Sequence, residues 1–152
     1  MYIKFSCRYS EAAHRAPQLA RLAPRLLSVE EIHEWYVVVM EDLSNDYEVL
    51  SDVDREDSSL QQHVKVAVRK LHSLKYVHGD IRRVNILVQK PDCKSDGPPV
   101  VFVDWDWSGK IGEVCYPHSM NPTIKRSEDA VAGTEIMQEH DLDMVLFCFD
   151  ST

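Results

Sequence analysis

The sequence predicts an α+β fold, a small antiparallel sheet with one helix followed by a mainly helical part. Three observations predict it. Short β-branched and aromatic runs at 2–5, 25–29 and 35–40 crowd the early chain. Two stretches, 58–74 and 140–149, are apolar at helical spacing or on nearly every face. Between them, Asn85 precedes the apolar run Ile86-Leu87-Val88, and Asp104 ends the run Val100-Val101-Phe102-Val103. With 152 residues, 44% of them apolar, the chain suits one domain with a packed core.

Tyr2-Ile3-Lys4-Phe5 reads as a strand with Lys4 within it. Ser10 to Leu22 has helical signals: Ser10 as cap, Glu11 in the first turn, and an apolar stripe from Ala12 to Ala23. Pro17 is expected to kink or divide that helix. Arg25–Val29 and Trp35–Met40 are expected strands joined by an acidic turn, Glu30 to Glu34. Asn45 to Asp57 reads as a loop, or a short helix and loop. Ser58 or Ser59 then opens a helix, with Gln61 or Gln62 completing a capping box. Leu60, Val64, Ala67, Val68, Leu71 and Leu74 form its core face, and His63 and His72 are expected at the surface. Lys90 to Pro99 reads as a turn or exposed hairpin loop. The helix from His140 to Phe149 must be buried, and it is expected to pack against the helix at 59–74.

Composition excludes several classes. The net charge of −8 argues against nucleic-acid binding. The longest apolar run, Trp35 to Met40, is too short to span a bilayer, so no membrane partner is expected. The first residues lack the apolar core of a signal peptide. Cys7, Cys93, Cys115 and Cys148 are scattered with no C-x-x-C pair. Reduced thiols and a cytoplasmic or nuclear location are therefore expected, and a zinc site is not.

The stretch with most chemical content is His78-Gly79-Asp80-Ile81-Arg82-Arg83-Val84-Asn85. Asp80, Asn85 and Asp104 place two carboxylates and a carboxamide at the ends of short buried strands. Such groups can hold Mg²⁺ on a nucleotide and steer a hydroxyl to its terminal phosphate. This order and spacing resembles the catalytic core of the protein-kinase-like fold. Ile3-Lys4-Phe5, Ala23-Pro24-Arg25-Leu26-Leu27, Val39-Met40-Glu41, His78 to Asn85, Asp104-Trp105-Asp106-Trp107 with Gly109-Lys110, Tyr116-Pro117 and His140-Asp141-Leu142 follow the order of the fungal-type protein-kinase-like family.

The resemblance spans nearly the whole chain but only the middle of a kinase domain. It implies one partial domain, residues 1–43 being a small-lobe remnant and hinge and 44–152 a partial large lobe. It implies ATP and Mg²⁺ as cofactors, and transfer of the terminal phosphate to a protein hydroxyl. Lys4 resembles the phosphate-binding Lys; Glu11 is the acid available on the following helix to pair with it, a solvated Glu in the helix's first turn being the reading preferred. Met40 and Glu41 resemble the adenine-binding hinge. Asp80 resembles the base that orients the acceptor hydroxyl, Arg82 the cation near the transferred phosphate, and Asn85 and Asp104 the metal ligands. Asp106 stands where D-F-G has Gly, and a shifted register using Asp106 as the ligand stays open. Gly79 replaces an Arg found in many kinases, so switching by an activation-loop phosphate is not expected. Asp141 resembles the Asp that hydrogen-bonds the catalytic-loop backbone; a plain helix N-cap is the alternative.

The chain has 5 glycines and no G-x-G-x-x-G. Absent phosphate-covering strands and later helices imply a truncated or degenerate kinase. Two alternatives therefore remain: a pseudokinase or binding module without catalysis, and a small-molecule kinase of the choline or aminoglycoside type. An uncovered apolar patch from Met144 to Phe149 carries the expectation of self-association.

Overall fold

The computed structural model describes residues 1–53 and 58–150. Among these it is an α+β fold with three small antiparallel sheets and three α-helices. The first sheet contains β1 (Tyr2–Ser6), β2 (Leu26–Ile32) and β3 (Trp35–Met40), with β3 in the centre. Period-two alternation decides its faces. Val38, Met40 and Leu26 are buried on one face. Ile3, Phe5, Ile32 and Trp35 are exposed on the other. The expected acidic turn is shorter than predicted. Glu30 to Ile32 belong to β2, and only His33 and Glu34 turn, at φ 49° and 67°. Two left-handed residues match the twist of a two-residue hairpin, so strand pairing continues to the turn.

Helix α1 (Glu11–Leu19) begins as predicted, with the Ser10 side chain accepting from the Ala13 N–H at 3.2 Å. Pro17 lies inside it, buried, and does not divide it; the helix ends two residues later. The Pro17 carbonyl accepts from Ala20 and Leu22 at 3.1 and 2.9 Å, closing the end.

From residue 44 onward the chain holds more strand than predicted. β4 (Tyr47–Val49) lies in the stretch read as loop or short helix. Three residues carry too little periodicity to be read from sequence; pairing with β6 (Ile86–Gln89) makes them a strand. A 3-10 turn follows at Leu50–Asp52. The rest of the expected loop, 54–57, falls outside the described residues, and Ser58 and Ser59, expected to open the next helix, lie in its first turn. Helix α2 (Ser58–Ser73) buries Leu60, Val64, Ala67, Val68 and Leu71, and ends on Lys75 in the left-handed region at φ 70°. His63 is exposed, but His72 is buried, contrary to expectation, because it faces α3 rather than water.

β5 (Tyr76–Val77) pairs with β8 (Gly109–Lys110), and β6 pairs with β7 (Val100–Phe102) across the loop from Lys90 to Pro99. Residues 111–137 contain no helix or strand, only a bridge between Cys115 and Glu135. Helix α3 (Gln138–Phe149) packs against α2 through Met144, Val145 and Cys148, which join the main core with Leu50, Ile81, Ile86 and Phe102. It is buried on one face, not all round. Leu146 is 42% exposed, and the Lys125 ammonium covers the Phe147 ring at 4.5 Å. The expected apolar patch is therefore small there, since Met144 and Val145 are already in the core. All four cysteines are free thiols. Among the described residues no helix is long and apolar enough to cross a membrane.

Candidate functional site

The loop from His78 to Asn85 is fixed from below by α3. Asp141 is fully buried, and its two oxygens accept from the backbone N–H groups of His78 at 2.9 Å and Gly79 at 2.8 Å. His72 of α2 adds its Nε2 at 3.0 Å. The helix starts at Gln138, so Asp141 lies within its first turn and is not its N-cap. Gly79 has φ 82°, and a Cβ there would meet Ile136 Cδ1 at 2.8 Å. A larger residue, Arg included, would be strained by this backbone and would have to push the end of the Ile136 side chain aside. His78 ties the loop to the strand end before Asp104. Its Nδ1 accepts from the Asp80 N–H at 3.2 Å, so its Nε2 carries the proton donated to the Val103 carbonyl at 3.1 Å.

Asp80 is 4% exposed, and both its oxygens accept. Its Oδ2 accepts from Arg82 Nε and Nη2 at 3.0 and 2.7 Å and from Asn85 Nδ2 at 3.0 Å. Its Oδ1 accepts from Arg126 Nη2 at 2.7 Å. Arg126, whose guanidinium lies 4.8 Å from the Trp107 ring centroid, carried no sequence signal. It comes from the irregular segment, where nothing in the spacing marks it.

Lys4 projects from β1 toward the end of β7. Its ammonium donates to Asp104 and, at 2.7 Å, to Asp106. Asp106 is held in turn by Ser6 Oγ at 2.7 Å. Both carboxylates therefore meet Lys4. Glu11 does not take part: it pairs with Arg15 one turn along α1 at 2.6 Å, in solvent. Burial alone lowers the Lys4 pKa, but the hydrogen bonds and charges of Asp104 and Asp106 overcome it and leave it raised. Burial raises the Asp106 pKa, with Lys4 and Ser6 opposing and the Asp104 charge adding to the rise. The two directions are compatible because one cation is shared by two acids. Asp104 sits at φ 68°, a strained position for a residue with a Cβ.

A cavity of about 400 Å³ opens beside this cluster, lined by Lys4, Met40, Glu41, Asn85 and Asp104 among others, a size suited to a small ligand. The structure thus brings together five of the predicted site residues. It leaves Asp80 and Arg82 out of the lining, one layer behind Asn85. Asn85 spends its amide N–H groups on the Asp80 carbonyl and carboxylate, which leaves its Oδ1 as the available ligand atom. At the cavity's far wall the Glu41 N–H donates to the Arg25 carbonyl at 2.9 Å and its side chain accepts from the Arg25 N–H at 2.6 Å. Among the described residues, the Glu41 carbonyl and the Leu43 N–H have no hydrogen bond. No group of three or more His, Cys, Asp or Glu that could hold a metal occurs among the described residues. One carboxylate and one amide oxygen fit Mg²⁺ only together with phosphate oxygens.

Four rings connect α1 to the loop. Tyr9 OH donates to His14 Nδ1, and His14 Nε2 donates to the Pro24 carbonyl at 2.7 Å. His14 lies 5.8 Å from Trp105, and Trp105 lies 4.8 Å from His78. Burial pushes the His14 imidazole below its ordinary pKa. The stacking of His14, Trp105 and His78 needs the fold. No protein-family model matches the chain, and no curated protein matches it.

Proposed function

We propose that the chain is a protein-kinase-like, ATP-dependent phosphotransferase that transfers the terminal phosphate of ATP to a protein hydroxyl. The observation that carries this reading is the single cavity lined by Lys4, Asn85 and Asp104 together with Met40 and Glu41. It places a cation, an anionic oxygen ligand, an amide oxygen and free backbone groups around one small-ligand volume. Lys4 would neutralise phosphate charge, and the unpaired Glu41 carbonyl and Leu43 N–H would bind the base edge. Asp104 and the Asn85 carbonyl oxygen would hold Mg²⁺, which supplies charge neutralisation at the phosphates when bound. Asp80, steadied by Asn85 and Arg82, would orient the acceptor hydroxyl. The likeness in motif order to the fungal-type protein-kinase-like family supports the same reading.

The burial of Asp80 and the N–H donors on both its oxygens favour a second reading, a nucleotide-dependent binding module without turnover. Thermal unfolding and a transfer assay separate these. Mg-ATP is expected to raise the melting temperature, since a ligand of the native state must do so. Asp104→Asn should weaken that shift, whereas Asp80→Asn should keep it and abolish transfer. No shift at about millimolar Mg-ATP would sink both nucleotide readings.

A further inference from the structure

Both oxygens of Asp80 already accept N–H donors. Three donors from Arg82 and Asn85 occupy Oδ2, and Arg126 Nη2 occupies Oδ1. Oδ1, with a single donor, is the oxygen a hydroxyl can enter, and because the Asp80 side chain is 6% exposed and Arg126 lies on that oxygen, entry requires the guanidinium to move aside.

Arg126 is poorly placed to leave. Its side chain is 7% exposed, and its Nε is buried with no hydrogen-bond partner among the described residues. Asp80 is its one ion-pair partner there. Both sequence neighbours are fastened to α3. Ser127 Oγ donates to Asp143 at 2.7 Å, and the Lys125 ammonium lies 3.5 Å from Asp150 and over the Phe147 ring. A guanidinium held in this way, and stripped of its carboxylate, is a buried unpaired charge. The displaced cation needs another anion within reach.

We propose, resting on the phosphotransferase reading, that Arg126 is a specificity-determining residue. It holds the acceptor position on Asp80 and yields to a hydroxyl whose carrier bears an anionic group beside it, carboxylate or phosphate, which takes over the guanidinium. In the transfer, the acceptor oxygen bonds to the γ-phosphorus of ATP as the bridging β–γ P–O bond breaks. ADP leaves with that bond's electron pair, and the hydroxyl proton goes to Asp80 Oδ1.

The test uses three serine peptides that differ only in the residue beside the serine: Gln, Glu or phosphoserine. The Mg-ATP melting shift and kcat/KM for each peptide are measured on the wild-type chain, Arg126→Gln and Ser127→Ala. The wild type should prefer at least one anionic peptide over the Gln peptide by about tenfold or more, the scale of one charge-assisted hydrogen bond. Which of the two it prefers tells carboxylate from phosphate. Arg126→Gln should bring the ratio near one and raise transfer to the Gln peptide; Ser127→Ala should narrow it partly. The ratio is read within one preparation, so any loss of folded protein cancels. If the wild type binds Mg-ATP yet treats all three peptides alike, or phosphorylates none, the proposal fails and nucleotide binding stands. An unchanged ratio in Arg126→Gln also overturns it. Absence of a Mg-ATP shift removes the phosphotransferase reading and this proposal with it.

Discussion

Asp141 never faces the cavity, yet it fixes the backbone from which Asp80 and Asn85 project. Its carboxylate serves two N–H groups and His72 with no solvent to replace it. Asp141→Ala should therefore cost about 3 kcal/mol, the scale of breaking a buried charged network, read by urea unfolding. A loss below about 1 kcal/mol would mean the loop holds itself. His14 gives a pH signature. Its folded pKa lies below the unfolded value of about 6.5, so the unfolded chain binds the proton more readily. The stability it lends is fully present above that value and is lost as pH falls toward the folded pKa. Urea midpoints should decline as pH drops below about 6.5, and His14→Gln should show a shallower decline whatever its absolute stability.

At the scale of elements, the β2–β3 hairpin carries avoidable strain. His33 and Glu34 both occupy left-handed backbone, which Asn and Gly tolerate better. The double change His33→Asn with Glu34→Gly should raise stability by about 1 kcal/mol by the same urea assay. No gain would mean the turn relaxes in solution. The hairpin also illustrates how a composition signal misleads. Glu30 and Glu31 look like turn residues, but β3 offers them backbone partners and their side chains point to water. Helix α3 shows the reverse case. Apolar on every face in sequence, it needs core contact on only one, because Lys125 crosses its open side at Phe147.

On the scale of the whole molecule, four exposed apolar side chains gather on the outer face of the first sheet, whereas α3 exposes Leu146. Ile3, Phe5, Ile32 and Trp35 are each about half exposed or more there. Phe5→Lys should raise the solubility limit of the isolated chain, and Leu146→Lys should change it little. The opposite order would return the patch to α3. The first sheet joins the remainder through few but specific links. The Phe102 N–H donates to the Leu22 carbonyl at 2.8 Å, Lys4 reaches Asp104 and Asp106, and the ring series runs from Tyr9 to His78.

Pieces whose cause is local could be read from the order of residues. The Ser10 cap, the apolar stripe of α2, the strands β1 and β3, and the loop between helix and β6 all follow from short-range spacing. The grouping of Lys4 with Asn85 and Asp104 was an expectation of the resemblance in motif order, not of spacing, and the cavity lining contains all three. Only the tertiary structure decided what is long-range. Lys4 and Asp106 are separated by 102 positions, Asp80 and Arg126 by 46, and His72 and Asp141 by 69. A charge's partner is chosen by which surfaces the core brings together. Spacing along the chain carries no information about that choice once the separation exceeds an element's length.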